Sequence, residues 1–383
     1  MELKIGIWST AIILALGLAG CGVAQTSHHT TLHSVARRVK PLELNQITML
    51  SAKNGWALSP KGVVTTTDGG SKWILRGPKT LSTESVLSSL TAAFPAPNNA
   101  ILVHEDTSTI KIWRTNDRGI HWHSEILRPP ESVIQNNLGG NIQVQFVSAH
   151  IGIIVLSSQD NAGSLSDALL QTTDGGAHWQ LLQKSSAGSL FEDIGRITMS
   201  PTGGGIASIN SMVAGRATTL ITDNRGRSWT SSPLPLPGVS IYDQVLEGTP
   251  EYQGGSSYSI WVSLFNNHTG QRRWLFEHTI NGGERWTAIP GSHAVPPINT
   301  ITGLTLWPLP HKTLLFVNDS QGTEIYEQTD NNLGWHAVSR LPIQQTESVA
   351  LLANGDGWII GKNGNYRTTN GGLTWEEFSP YLN

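Results

Sequence analysis

Cysteine is almost missing from this 383-residue chain: Cys21 stands alone, so no disulfide can form within it. Methionine is scarce, at 4 residues, and charged residues make up only 14%. Both shortages disfavour a helical bundle and favour short strands separated by turns. A basic excess is also lacking, because Lys+Arg 25 against Asp+Glu 28 leaves a formal net charge of -3. Without a cationic field to neutralise phosphates, nucleic acid is excluded as the first choice of partner. Beyond the amino terminus no apolar run approaches the roughly 20 residues that a spanning helix needs, so the body is expected to be soluble. The length suffices for one large core or two ordinary ones, and neither a metal nor a cofactor is needed for stability. What the chain does have is 40 Gly and 14 Trp, and their placement decides the fold.

The amino terminus explains the lone cysteine. Lys4 precedes an apolar run from Ile5 to Ala19 broken only by Ser9 and Thr10, and the run ends in Leu18-Ala19-Gly20-Cys21. It is too short for a span and reads as a signal-peptide core. The segment resembles a bacterial lipoprotein signal. That resemblance implies cleavage before Cys21, a lipid on its thiol, and an extracytoplasmic protein anchored to the membrane surface. Residues 1–20 are then the signal peptide and 21–42 a lipidated stalk, polar and without apolar period. His28, His29 and His33 within it read as spacer, while Arg37, Arg38 and Lys40 can touch anionic headgroups.

Seven octets repeat through the rest, beginning at Thr66 (TTDGGSKW), Thr115, Thr172, Thr222, Thr279, Gln328 and Thr368 (TTNGGLTW). Each carries Asp or Asn at its third position and Trp at its eighth. These pairs are Asp68 and Trp73, Asp117 and Trp122, Asp174 and Trp179, Asn224 and Trp229, Asn281 and Trp286, Asp330 and Trp335, and Asn370 and Trp375. Successive tryptophans lie 49, 57, 50, 57, 49 and 40 residues apart. Asp or Asn can accept from turn amides, Gly supplies positive φ, and the indole packs back over the turn. The sixth copy departs, with Gln328, Asn332 and a Gly shifted to 334. Upstream of each octet run three short strands, as in ITMLSA, GWALS and VVTTT of the first unit. The expected fold is all-β: a seven-bladed β-propeller of four-stranded antiparallel blades over 43–380. Approximate blades are 43–77, 82–129, 140–186, 190–234, 238–291, 297–341 and 345–380. Blade seven owns all four of its strands, so residues 35–42 are the segment available to add an edge strand at closure.

The octet resembles the Asp-box, or bacterial neuraminidase repeat, and the Gly55–Trp73 and Gly357–Trp375 cadence is similar to photosystem II assembly and stability factors and their bacterial relatives. Sortilin-type receptors and sialidases share the box. The resemblance implies a peripheral, structural octet and a protein-binding or assembly platform, with a glycoside hydrolase or carbohydrate-binding propeller as the alternative. Whether the chain is an enzyme is left open, with the non-enzymatic reading preferred. Any ligand face should lie opposite the octets, where loops carry Glu105, Asp106, Asp160, Asn266, His268, Asp319 and Asn363, with Asp193, Arg196 and Asp243 beside the channel. A sialidase needs an arginine cluster, a Tyr nucleophile and an Asp acid. Only Arg196 lies on an inner strand, Arg340-Leu341-Pro342 comes too late for the family's first signature, and Tyr242, Tyr326 and Tyr366 read as strand aromatics. His121 and His123 flank Trp122 at strand spacing without a third ligand, and the TGGG string at 202–205 reads as a turn. No catalytic, cofactor or metal residue is assigned. The expected partners are the membrane through Cys21 and a protein, with a glycan second, and the expected state is a monomer.

Overall fold

The computed structural model describes residues 40–81, 90–106, 109–128, 141–159, 165–185, 190, 194–209, 214–289, 303–309, 311–329 and 332–383. Cys21, the predicted signal, nearly all of the predicted stalk, Asp160, Asp193 and Asp330 lie outside them, as does the side chain of Asp106.

Among the described residues every regular element is a strand, and the strands form seven antiparallel blades. Blade one comprises Gln46–Met49, Gly55–Ser59, Gly62–Thr66 and Lys72–Leu75. Blade two has Thr91–Ala96, Asn99–Asp106, Thr109–Thr115 and His123–Leu127. Blade three has Asn141–Phe146, Gly152–Gln159, Leu165–Thr172 and Gln180–Lys184. Blade four has Ile194–Met199, Gly205–Ile209, Thr218–Thr222 and Thr230–Pro233. Blade six has Gly303–Leu309, Lys312–Asp319, Gly322–Thr329 and Asn332–Leu341, and blade seven has Thr346–Leu351, Gly357–Gly361, Gly364–Thr368 and Glu376–Glu377. In blade five the innermost strand is broken into Asp243–Glu247 and Glu251–Gly254, both paired with Ser257–Asn266; Arg272–Thr279 and Thr287–Ala288 complete it. The break falls at Gly248, where any Cβ would lie 2.2 Å from the Trp261 ring.

Seven apolar clusters hold the ring together, one at each seam between consecutive blades. Alternate residues of one strand therefore serve different seams: Trp56 and Leu58 pack toward blade two, whereas Ala57 packs toward blade seven. That double burial is why second strands such as GWALS are buried along their whole length and read as continuous apolar runs.

Of the segment 35–42 considered for an edge strand, residues 35–39 lie outside the described residues and 40–42 form no strand. The carboxyl terminus closes the ring: Tyr381–Leu382 adds a fifth strand to blade one, parallel to Lys72 and Trp73. The Leu42 N–H donates to the Pro380 carbonyl at 2.7 Å, so the incoming chain is tied to the outgoing one without forming a strand itself. Blades one and seven also meet directly, through the Trp358 indole N–H on the Gly69 carbonyl at 2.9 Å and the Ile47 N–H on the Ser348 hydroxyl at 3.1 Å.

Candidate functional site

Octet chemistry produces one local bond pattern that recurs from blade to blade among the described residues. In blade one the Thr66 hydroxyl donates to Asp68 Oδ1 at 2.9 Å and accepts from the Gly70 N–H at 3.0 Å, while Asp68 Oδ1 also accepts from the Lys72 N–H at 3.0 Å. The same bonds recur in blades two, three, four, five and seven, with Asn224, Asn281 and Asn370 using their amide oxygen where Asp stands elsewhere. Charge is therefore dispensable at this position and an acceptor is not. In blade two the His121 N–H leads, with the Thr115 hydroxyl and the His121 ring, in holding Asp117 below the usual carboxylate range against the effect of burial. Asp174 is held low in the same manner, first by the His178 ring. His121 thus belongs to the turn and not to the strand carrying His123, so the two do not form the metal pair considered from their spacing.

The sixth copy is a correction. Its third and fourth strands stay paired down to Thr329 and Asn332, closer to the turn than in the other copies; Asp330 lies outside the described residues, and Gln328 stands where the others have the threonine hydroxyl. Trp335 nevertheless stays buried, its ring 5.4 Å from that of Phe276 in blade five. The fourth octet residue has positive φ in all six true turns, including Arg118 at 61° and Arg225 at 63°. Its N–H in each case reaches a carbonyl between the first two strands of its own blade, such as Gly175 to His150 at 2.9 Å and Gly371 to Gly355 at 2.8 Å. The glycine after it faces the preceding blade: Gly176 lies against Ile101, Gly226 against Leu169, Gly283 against Ile221 and Gly372 against Leu314. The octets are wedges between blades, and their aspartates are occupied in building them.

Strand direction alternates within a blade, so the end opposite the octets carries the turns between second and third strands and the entries to the innermost strands. Most candidates on that end are engaged within their own blades. Asp243 is buried and accepts from Asn266 Nδ2 at 2.8 Å, Arg273 at 3.1 Å and the Ser240 N–H at 2.8 Å. Burial alone would raise its pKa, but the Ser240, Asn266 and Arg273 bonds outweigh it and hold the carboxyl low. Its ion-pair partner is therefore Arg273, not Arg196, which stands exposed on the innermost strand of blade four. Asp319 pairs with Arg340 through both oxygens, at 2.8 and 2.6 Å, and caps the Gln321 and Gly322 N–H groups. Arg340 also reaches Glu324 at 3.3 Å, which ties up the arginine of the Arg340-Leu341-Pro342 string. Asn363 bonds the backbone of Gln344 and Pro342, and Glu105 is half-buried at the turn of blade two. Two features of the same end have no internal use. One is a groove of about 360 Å³ beside the closure seam, lined in part by Lys40, Glu43, Glu347, Lys362 and Glu377, in which burial and then the Glu43 charge raise the Glu347 pKa. The other is a small apolar patch where the chain enters blade five: the consecutive Ile241 and Tyr242 are 76% and 56% exposed, with the His268 ring 5.7 Å from that of Tyr242, and Leu246, 54% exposed, follows within the innermost strand.

No protein-family model matches the chain, and no curated protein does. Among solved structures it is similar to YCF48 bound to D1 peptide, with 16% identity and a TM-score of 0.55 over 87% of this chain and 93% of that one. It is similar also to YCF48 from Cyanidioschyzon merolae, with 14% identity and a TM-score of 0.52 over 87% and 96%. The likeness is one of fold. A prolyl endopeptidase aligns with a TM-score of 0.56 at 8% identity, but there the chain spans 89% of itself and only 49% of the peptidase. The propeller itself is thus common to these proteins, and what distinguishes this one must come from its loops. Sequence reasoning missed Ile241 and Leu246 and read Tyr242 as a strand aromatic, whereas it lies exposed in the turn before the innermost strand; a lone apolar residue beside a turn carries no pattern until its exposure is known.

Proposed function

We propose that this is a membrane-anchored, extracytoplasmic Asp-box propeller that binds a protein partner on the face opposite the octets. The observation that carries the reading is the blade-five patch. Exposed Ile241 and Tyr242 form the kind of apolar anchor that protein contacts bury, while Asp243 next to them and Asp319 of blade six are consumed by structural pairs. The similarity to a YCF48 bound to D1 peptide supports a protein partner. Anchoring rests on the sequence around Cys21, whose lipid holds the body at the membrane surface.

Crosslinking and pull-down from membranes with the full chain tests the partner. The Ile241→Ser/Tyr242→Ala variant should lose at least about tenfold of the captured partner, equivalent to roughly 1.4 kcal/mol, while retaining the native melting temperature. Undiminished capture by that variant would sink the proposal. In the same cells Cys21→Ala should move the protein out of the membrane fraction or leave an uncleaved precursor, and continued lipid labelling of that variant would refute the anchor.

A further inference from the structure

Three carboxyls of blade five serve neither an octet nor the exposed patch: Glu247 and Glu277 are buried in a seam and Glu251 is half-buried. Cross-strand register places Glu247 opposite Val262 and Glu277 opposite Ile260, on the side of the blade whose apolar residues, Val262, Ile260 and Leu275, pack against Ile206 and Ala217 of blade four. Glu251 is opposite Ser259, on the other side, toward blade six. We infer that blade five is a proton-operated seam of the ring: its packing against both neighbours needs Glu247, Glu251 and Glu277 neutral, and their ionisation loosens it.

Glu277 makes the geometric case most simply. It is 0% exposed, and neither carboxyl oxygen has a hydrogen-bond partner. A charge there would be shut off from solvent and without a donor, whereas a neutral carboxyl is tolerated. Glu247 differs, because it reaches across the seam and accepts from two backbone amides of blade four, Ile209 at 3.1 Å and Thr218 at 2.9 Å. Those bonds favour the ionised form, yet burial outweighs them and pushes the group up to about 7. Burial alone pushes Glu251 and Glu277 up to about 8.

Among the described residues no counter-charge answers them. Blade four presents Arg196 and Arg216, both exposed, and the octet side chains Asp223, Arg225 and Arg227. Within blade five, Asp243 is paired with Arg273, and Arg272 lies over the Phe265 ring; His278, Glu284 and Arg285 belong to its octet end. Blade six presents His311, His336, Lys312 paired with Glu327, and Arg340 paired with Asp319 and Glu324. None of these charges contributes to the shifts of the three carboxyls, which burial dominates. Because a glutamate in the unfolded chain ionises near 4.5, the folded state holds these protons more tightly. The stabilisation is complete below that value and is lost as the pH rises through 7 to 8.

Thermal unfolding and hydrogen exchange across pH test the inference. The wild-type melting temperature should fall by roughly 5 °C or more between pH 6 and pH 9, and a Glu247→Gln/Glu251→Gln/Glu277→Gln variant should flatten that fall. Amide exchange of the wild type, corrected for intrinsic rates, should lose protection between pH 6 and pH 8.5 first in residues 205–209, 214–222, 243–288, 303–309 and 311–319, the strands that meet at the two seams of blade five. A melting temperature that holds steady or rises over that range overturns the proposal, as does a triple variant with the wild-type slope. Should the triple variant not fold, the wild-type exchange pattern decides: protection lost evenly around the ring, or first elsewhere, refutes it.

Discussion

The threonine that opens each octet does more than its size suggests. In blade three the Thr172 hydroxyl accepts from the Asp174 N–H at 3.3 Å and the Gly176 N–H at 2.9 Å and donates to Asp174 Oδ1 at 2.9 Å. Thr172→Val keeps the volume and removes all three bonds, leaving the buried Gly176 amide without its acceptor. A buried unmet donor costs about 1–3 kcal/mol, so the variant should lose roughly 2 kcal/mol in urea unfolding, whereas Asn224→Asp should change little because only the acceptor oxygen is shared. These roles were readable in the sequence, since hydroxyl, acceptor and glycine recur at fixed offsets. Asp243 and Arg196 were not: both sit where an inner strand could aim them into the channel, and only the position of Arg273, thirty residues on, decides that Asp243 is spoken for.

At the scale of the element the octet changes meaning. Its composition describes a turn, but its second glycine belongs to a contact with another blade that no local pattern encodes. At Gly283, φ is +91° and an added Cβ would lie 2.6 Å from Ile221 Cγ2 and 3.1 Å from Ile206 Cδ1. Gly283→Ala combines an unfavourable left-handed backbone with overpacking of the blade-four seam, and should cost about 2–4 kcal/mol by chemical denaturation. The same substitution at Gly282, also with positive φ but with open space around its Cβ, should cost only the backbone part, about 1–2 kcal/mol. Equal losses at the two positions would show that the wedge contributes nothing. Strand number and order were legible because period-two and fully apolar runs recur between octets. The break at Gly248 was not, since it depends on the Trp261 ring, whereas Gln328 marked the sixth copy as different without saying how far its strands stay paired.

A closed ring adds a requirement that no single blade contains, namely that the last be fastened to the first. Here the fastening is a two-residue strand, too short to carry an alternation, which is why residues ahead of blade one looked like the better candidate. Removing residues 380–383 deletes the Leu42 bond to Pro380, the Tyr381 N–H on the Ser71 carbonyl at 3.0 Å, the Asn383 N–H on the Trp73 carbonyl at 2.9 Å, and the Leu382 packing on the seam between blades seven and one. At about 1 kcal/mol for each net hydrogen bond plus a partly buried leucine, truncation should cost roughly 3–5 kcal/mol. Unfolding should nonetheless stay a single transition, because Trp358 on Gly69 and the shared core of Ile47, Trp73 and Ile360 still join the two blades. Calorimetry reads both quantities at once. A truncated chain that melts in two steps would show that the terminal strand alone couples blade seven to blade one, and one that melts like the full chain would show that the seam core closes the ring unaided.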